Sequence, residues 1–261
     1  MIENKKENAL VSVIIPCYNS GLFIEETIES VLKQTYVNLE LIIIDDCSTD
    51  DSLDVVEKFL VTDNRIRLVR LPRNSGAAIS RNEGIKLSKG RFIAFLDSDD
   101  IWKENKLEIQ LKFMQENKLE FTCTNYNKID ENGADLHTEI NFPSKSNYKD
   151  LLKNNCGNST VVYDTSRIGK IYVPNIRKRN DYLMWLQVIK KVDALYCLER
   201  QLSSHRIRTG SISSNKYDLI KYHWRVYRDH ENLSYTYSIY LTLYWGLKTF
   251  KVLAKKKLEF K

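Results

Sequence analysis

Apolar residues gather in short runs along the first half of the chain, with helical spacing between the runs. Val11-Ser12-Val13-Ile14-Ile15 is a β-branched run stopped by Pro16, which predicts a buried strand. Residues 22–33 then set Phe23, Ile24, Thr27, Ile28, Val31 and Leu32 at helical spacing. A second run, Leu39 to Ile44, ends at Asp45-Asp46 and a turn rich in Ser, Thr and Asp. Leu53, Val56, Phe59 and Leu60 predict a second helix, Ile66 to Val69 a third strand, 76–88 a third helix, and Phe92 to Leu96 a fourth strand. That fourth strand runs into Asp97-Ser98-Asp99-Asp100. Such alternation predicts an α/β fold, a mostly parallel sheet with helices on both faces. Ligands bind such sheets at the carboxyl ends of the strands, and both acidic clusters fall there.

Beyond residue 126 the pattern weakens. Residues 127–160 read as polar loop with a short helix near 147–153, before an apolar strand. Asn180 to Val192 predicts a helix, and Leu195 to Leu198 and Leu202 to Ile207 predict strands. From Tyr217 to Lys257 a long helical segment, broken near 229–236, holds seven of the fifteen Tyr.

Length and composition narrow the class. At 261 residues, 43% hydrophobic and 28% charged, the chain can bury a large core and is neither disordered nor collagen-like. Five scattered Cys (17, 47, 123, 156, 197) form no CxxC pair, which argues against disulfides or zinc and fits a reducing, cytoplasmic setting. No apolar signal core and no membrane-spanning run is read. Charge is uneven: residues 201–261 carry net +8 and the rest net −2. A basic tail on a near-neutral body suits an anionic surface, or is a solvated helix face. Nothing in the sequence calls for a nucleic-acid partner.

Clustered carboxylates at strand ends suggest chemistry. Two Asp one residue apart on a tight turn repel unless a cation lies between them, and Mg²⁺ or Mn²⁺ takes one or two carboxylates plus phosphate oxygens. Asp97-Ser98-Asp99 therefore reads as a metal turn holding a diphosphate, against the alternative of a helix-capping turn. P-loop NTPases are excluded by the lack of GxxxxGK[ST], and a dinucleotide site is disfavoured by the lack of GxGxxG. A response-regulator receiver fits poorly, because a whole βα unit precedes Asp45-Asp46.

Taken together, several segments resemble family 2 inverting glycosyltransferases of the GT-A fold. They are Val11 to Asn19, Gln34-Thr35-Tyr36, Glu40 to Asp50, Asn74-Ser75-Gly76, Arg81-Asn82-Glu83-Gly84-Ile85 and Phe95 to Asp100. Arg179-Asn180-Asp181-Tyr182-Leu183-Met184-Trp185-Leu186 resembles the acceptor-side motif that carries the family's base. His205-Arg206 and Gly210-Ser211-Ile212-Ser213 resemble a further loop of bacterial members. The resemblance implies a GT-A-like domain over 1–215, with a donor half at about 10–126 and an acceptor half at about 127–215, and a helical extension over 216–261.

It also implies roles. Pro16, Tyr18 and Asn19 would wall the nucleotide pocket, with Gly76 beside it, and Asp46 would accept from the uracil N–H. Arg81 would reach the nucleotide or pair with an acidic cluster. Asp97, next to Ser98, would meet the ribose or a metal-bound water, and Asp99 would bind the metal. Asp181 would be the general base, or a helix cap; where relatives often have Glu-Asp this chain has Asn180-Asp181. His205 and Arg206 would close over the diphosphate as a mobile basic loop. Cys156 to Thr160 would line the acceptor side or form an ordinary turn.

The expected activity is inverting transfer of a sugar from a UDP-sugar to a hydroxyl of a glycan or lipid-linked glycan. The opposing reading is a nucleotide- or carbohydrate-binding module on the same fold without turnover. The tail sets Trp224, Trp245 and Phe250 among Lys248, Lys251 and Lys255 to Lys257. This suits packing on the domain, a homodimer through the C-terminal helices, or peripheral contact with an anionic membrane at its cytoplasmic face.

Overall fold

The structure is a computed structural model that describes residues 8–208 and 216–259, with residues 216–219 and 251–259 described by backbone alone. β1 (Val11–Cys17), α1 (Ile24–Leu32), β2 (Leu39–Asp45), α2 (Ser52–Thr62), β3 (Ile66–Arg70), α3 (Ala77–Leu87) and β4 (Phe92–Phe95) follow in the order the pattern predicts. β1 pairs in parallel with β2 and β4, and β2 with β3. The register sets Cys17 opposite Asp45, so the carboxyl ends of β1 and β2 coincide.

Continuous apolar runs suit these strands because both of their faces are covered. Val13 and Ile15 enter one core with Ile24, Ile28 and Val56, while Ile14 enters another with Ile85, Phe95 and Trp185. Gly84 lets α3 lie directly on β1: a Cβ there would stand 2.4 Å from the Ile14 side chain. That close approach seats Arg81, one turn earlier on α3, at the edge of the sheet.

The second half completes the sheet. It comprises β5 (Ile101–Trp102), α4 (Lys106–Asn117), β6 (Phe121–Ile129), β7 (Asp135–Ile140), β8 (Lys145–Ser146), α5 (Tyr148–Leu151), β9 (Val162–Asp164), α6 (Thr165–Ile168), α7 (Asn180–Ile189) and β10 (Leu195–Arg206). β9 is antiparallel to both β4 and β6, β6 is parallel to β10, and the main path runs β3-β2-β1-β4-β9-β6-β10-β5. Two expectations are corrected here. Residues 127–160 are not mainly loop, since β6 and β7 form an antiparallel hairpin. The two strands expected at 195–198 and 202–207 are one strand, β10, whose register shifts between Leu198 and Ser203.

The tail is α8 (Lys216–Arg225), a π-helical turn over Val226–His230, and α9 (Tyr235–Glu259). Val226, Tyr227 and Leu241 join the core that holds Trp185. The Leu152 carbonyl accepts from Tyr182 Oη (3.0 Å), Tyr227 Oη (2.9 Å) and Trp245 Nε1 (3.1 Å). Glu231, its side chain buried, takes Lys190 at 2.6 Å and the Tyr148 hydroxyl. One face of the extension thus packs on the domain. Ile239, Leu243, Leu247 and Phe250 stand exposed on α9, and at helical spacing they share a stripe away from the buried Ser238 and Leu241. No helix among the described residues is long and apolar enough to cross a membrane.

Candidate functional site

The carboxyl ends of β1, β2 and β4 converge on one cleft edge. Asp46 is buried at the end of β2, and its two carboxylate oxygens accept from the backbone N–H groups of Ser75 and Gly76, each at 2.7 Å. Gly76 caps α3 with φ +89°, a left-handed conformation that favours glycine. Asp46 therefore pins the loop that starts α3. Pro16 lies in β1 opposite Ile44, and Tyr18 just beyond is 46% exposed, open to stack on a planar ligand. Asn19 is also left-handed, and its side-chain oxygen accepts from Thr49 N at 2.8 Å, so the β1 and β2 loops hold each other.

The acidic turn after β4 is held from several sides. Asp97 Oδ1 accepts from Arg81 Nη2 at 2.7 Å and from Asn158 Nδ2 at 2.8 Å. Ser98 Oγ meets Ser20 Oγ at 2.7 Å. Asp100 is buried, accepting from Ser159 Oγ at 2.5 Å and Arg206 N at 3.0 Å. Asn158 and Ser159 correct the ordinary-turn reading of residues 156–160: they support the acidic turn directly. The signal was the amide and hydroxyl side by side in Cys156-Gly157-Asn158-Ser159-Thr160.

Asp99 carries a second guanidinium. Arg208 Nε lies 2.9 Å from its Oδ2 as an ion pair, a contact nothing in the sequence foreshadows beyond the basic Ser-His-Arg-Ile-Arg run. Burial, with Asp100 and Asp97 nearby, still pushes the Asp99 carboxyl up to about 7 against the pull of Arg208. Carboxyls this crowded fit a hard divalent ion, which relieves their repulsion better than one guanidinium does. Among the described residues no three His, Cys, Asp or Glu side chains converge on one point. Asp99, with Asp97, would then hold the ion together with phosphate oxygens and water from the substrate side.

The same Arg81 that meets Asp97 donates from Nη1 to Asn180 Oδ1 at 2.6 Å. Its guanidinium thus ties the acidic turn to the first residue of α7. Pairing with an acidic cluster, one of its two expected roles, is present. Asp181 follows in the first turn of α7 and is half-buried. The helix is capped instead by the left-handed Arg179 backbone, without a side-chain capping bond. The hydrogen-bond neighbour of Asp181 is Asn155 Nδ2, at 3.5 Å from Oδ2.

His205 and Arg206 need correction. Both belong to β10 rather than to a mobile loop. The His205 ring stacks on Tyr126 with centroids 3.8 Å apart, and Gly157 leaves it room, since a Cβ there would lie 2.6 Å from the ring. Burial pulls its pKa down to about 4, so it is a neutral packing group at pH 7. Arg206 donates to the carbonyls of Asp99 (2.9 Å) and Glu131 (2.9 Å) and pairs with Glu26. Its charge is committed to holding loops together. Gly210 to Ser213 lie outside the described residues.

Comparison with known proteins places this geometry. The profile described as "Glycosyl transferase family 2" matches residues 12–173. A Bacillus subtilis protein named "Putative teichuronic acid biosynthesis glycosyltransferase TuaG" is 44% identical over 227 residues, 87% of this chain and 90% of that one. The Escherichia coli UDP-Glc:alpha-D-GlcNAc-diphosphoundecaprenol beta-1,3-glucosyltransferase WfgD is 41% identical over 227 residues, 85% of this chain and 87% of that one. In structure, S. aureus TarS 1-349 in complex with UDP-GlcNAc superposes with TM-score 0.69 at 23% identity, covering 89% of this chain and 70% of that one. The mannosyltransferase PcManGT from Pyrobaculum calidifontis, in complex with GDP-Man and Mn²⁺, does so with TM-score 0.66 at 15% identity, covering 86% and 64%. At these identities the structural likeness speaks for the fold.

Proposed function

The chain belongs to glycosyl transferase family 2, and on that premise we propose that it moves a sugar, with inversion, from a UDP-sugar to a hydroxyl of a lipid-linked glycan. The observation that carries this reading is the Arg81 bridge, which ties a donor-type acidic turn to Asn180, the residue before the half-buried Asp181. The UDP-GlcNAc bound by TarS and the lipid diphosphate named for WfgD support the choice of donor and acceptor.

Each residue then has a task. Tyr18 stacks against the base, while Asp46 holds the Ser75–Gly76 loop beside it and keeps lone pairs for a uracil N–H. A divalent Mg²⁺ or Mn²⁺ ion at Asp99, when bound, offsets the charge developing on the departing diphosphate. Asp181 takes the proton from the acceptor hydroxyl, whose oxygen attacks the anomeric carbon as the bond to the UDP oxygen breaks. A single displacement inverts that carbon. Work on a lipid-linked acceptor puts the enzyme at the cytoplasmic face of the membrane, where the outward stripe of α9 and the basic end of the tail would meet lipid.

The test is a panel of UDP-sugars offered with GlcNAc-diphospholipid and Mn²⁺, the product linkage being read by NMR. Transfer from a UDP-sugar with an inverted anomeric bond supports the proposal. Transfer with retention, or from CDP- or GDP-sugars alone, would contradict it.

A further inference from the structure

Cationic and aromatic groups collect where the tail meets the domain. Trp245 of α9 stacks on His223 with centroids 4.4 Å apart. The Arg179 guanidinium lies 5.6 Å from the centre of the Trp245 ring, and Lys248 Nζ lies 5.2 Å from it. Lys248 Nζ also donates to Asn154 Oδ1 at 2.6 Å. The next residue, Asn155, is the neighbour of Asp181. A bonded path therefore runs from Asp97 through Arg81 to Asn180, and from Asp181 through Asn155 and Asn154 to Lys248. Along that path the candidate base stands between the acidic turn and the cationic groups.

These two cations are not neutralised. Among the described residues neither Arg179 nor Lys248 has a carboxylate partner, and Arg179 Nε is buried without a hydrogen bond. Two tail carboxylates are used elsewhere, Glu231 by Lys190 and Asp229 by Arg225. Two uncompensated cations beside a base that deprotonates an acceptor suit an acceptor that itself carries negative charge.

We propose that Arg179 and Lys248, gathered about Trp245, form the subsite for the phosphate through which the acceptor glycan is joined to its lipid. The inference rests on the proposed transfer to a lipid-linked acceptor. It makes the C-terminal extension part of the acceptor site, since Trp245 and Lys248 come from α9 and Arg179 from the segment that starts the helix of the base. A phosphate held there would set the acceptor sugar's hydroxyl toward Asp181, while the diphosphate of the donor stays at Asp97 and Asp99.

Calorimetry on the full chain with UDP and Mn²⁺ saturating the donor site tests this, using farnesyl diphosphate as probe and farnesol as the uncharged control. Wild type should bind farnesyl diphosphate and not farnesol. Arg179→Gln and Lys248→Gln should each weaken binding roughly tenfold, the usual weight of a charge-assisted hydrogen bond, with UDP affinity unchanged. Lys248 is on the surface, so its variant stays informative even if Arg179→Gln folds poorly. No binding by wild type, equal binding of farnesol, or a Lys248 variant that binds as tightly as wild type would overturn the proposal. So would variants that lose sedimentation with phosphatidylglycerol vesicles yet keep farnesyl diphosphate, because the cations would then serve bulk lipid. A wild type that binds the probe but transfers no sugar would overturn the proposed function and leave this subsite standing.

Discussion

Arg81 and Asn180 are joined at 2.6 Å, and the other arm of the same guanidinium meets Asp97 at 2.7 Å. With its side chain only 7% exposed, Arg81 works as a strut between the end of β4 and the start of α7. The Asn180 amide suffices for this, because an Asn oxygen accepts from a guanidinium as a carboxylate oxygen does.

Asn180→Asp should therefore keep transfer within a few-fold of wild type. Asn180→Leu removes the acceptor and should cost stability by about 1.5–3 kcal/mol, the range for a hydrogen bond to a charged group. Thermal melts and kcat/KM on the two variants check this. An Asn180→Leu protein as stable and active as wild type would show the strut to be idle.

Arg208 occupies the carboxylate that a metal would need, at 2.9 Å from Asp99. A divalent ion must displace it, so Arg208→Ala should bind Mn²⁺ several-fold more tightly than wild type when no nucleotide is present. Asp99→Ala should not bind it measurably. Electron paramagnetic resonance of free Mn²⁺ reads both. Unchanged Mn²⁺ affinity in the Arg208 variant would mean the guanidinium and the ion do not compete.

Lys106 is fully buried, hydrogen-bonded to Gln110 Oε1 at 2.8 Å and set 4.1 Å from the Trp102 ring centre. Burial pulls its pKa down to about 7. The unfolded chain holds that proton to about pH 10, so between these values unfolding takes up a proton and stability rises with pH. Lys106→Met should be the more stable protein at pH 7. Wild type should close the gap by roughly 1.4 kcal/mol per pH unit at most as pH rises toward 10. Denaturant midpoints at several pH values check it, and parallel curves would contradict it.

Much of the first half of the fold was legible because its strands are buried on both faces, leaving unbroken apolar runs such as Leu41 to Ile44. α4 escaped notice because buried Lys106 and Gln110 interrupt its apolar spacing. β7 looked like loop because it has no buried face to imprint alternation. Arg206 looked available as a free cation, yet its partners Glu26 and Glu131 lie far away in sequence and only the fold brings them together. Asp97, Asp99 and Asp181 could be singled out as candidates because short local motifs carry them; Asn158, Ser159 and Arg208 could not, because each acts across the sheet.

The outward stripe of Ile239, Leu243, Leu247 and Phe250 gives the membrane contact a handle separate from packing. Leu243→Glu with Leu247→Glu should reduce sedimentation with anionic vesicles and leave the melting temperature within a few degrees, because both side chains are exposed (62% and 65%). Vesicle binding equal to wild type would take lipid out of the account.

The central claim is that Asp181 deprotonates the acceptor, and single-turnover transfer by Asp181→Asn tests it most directly. The variant should bind UDP-sugar as wild type does and transfer about 10²–10⁴-fold more slowly, as expected for loss of a general base. Transfer above about a tenth of the wild-type rate, with chemistry limiting, would contradict it.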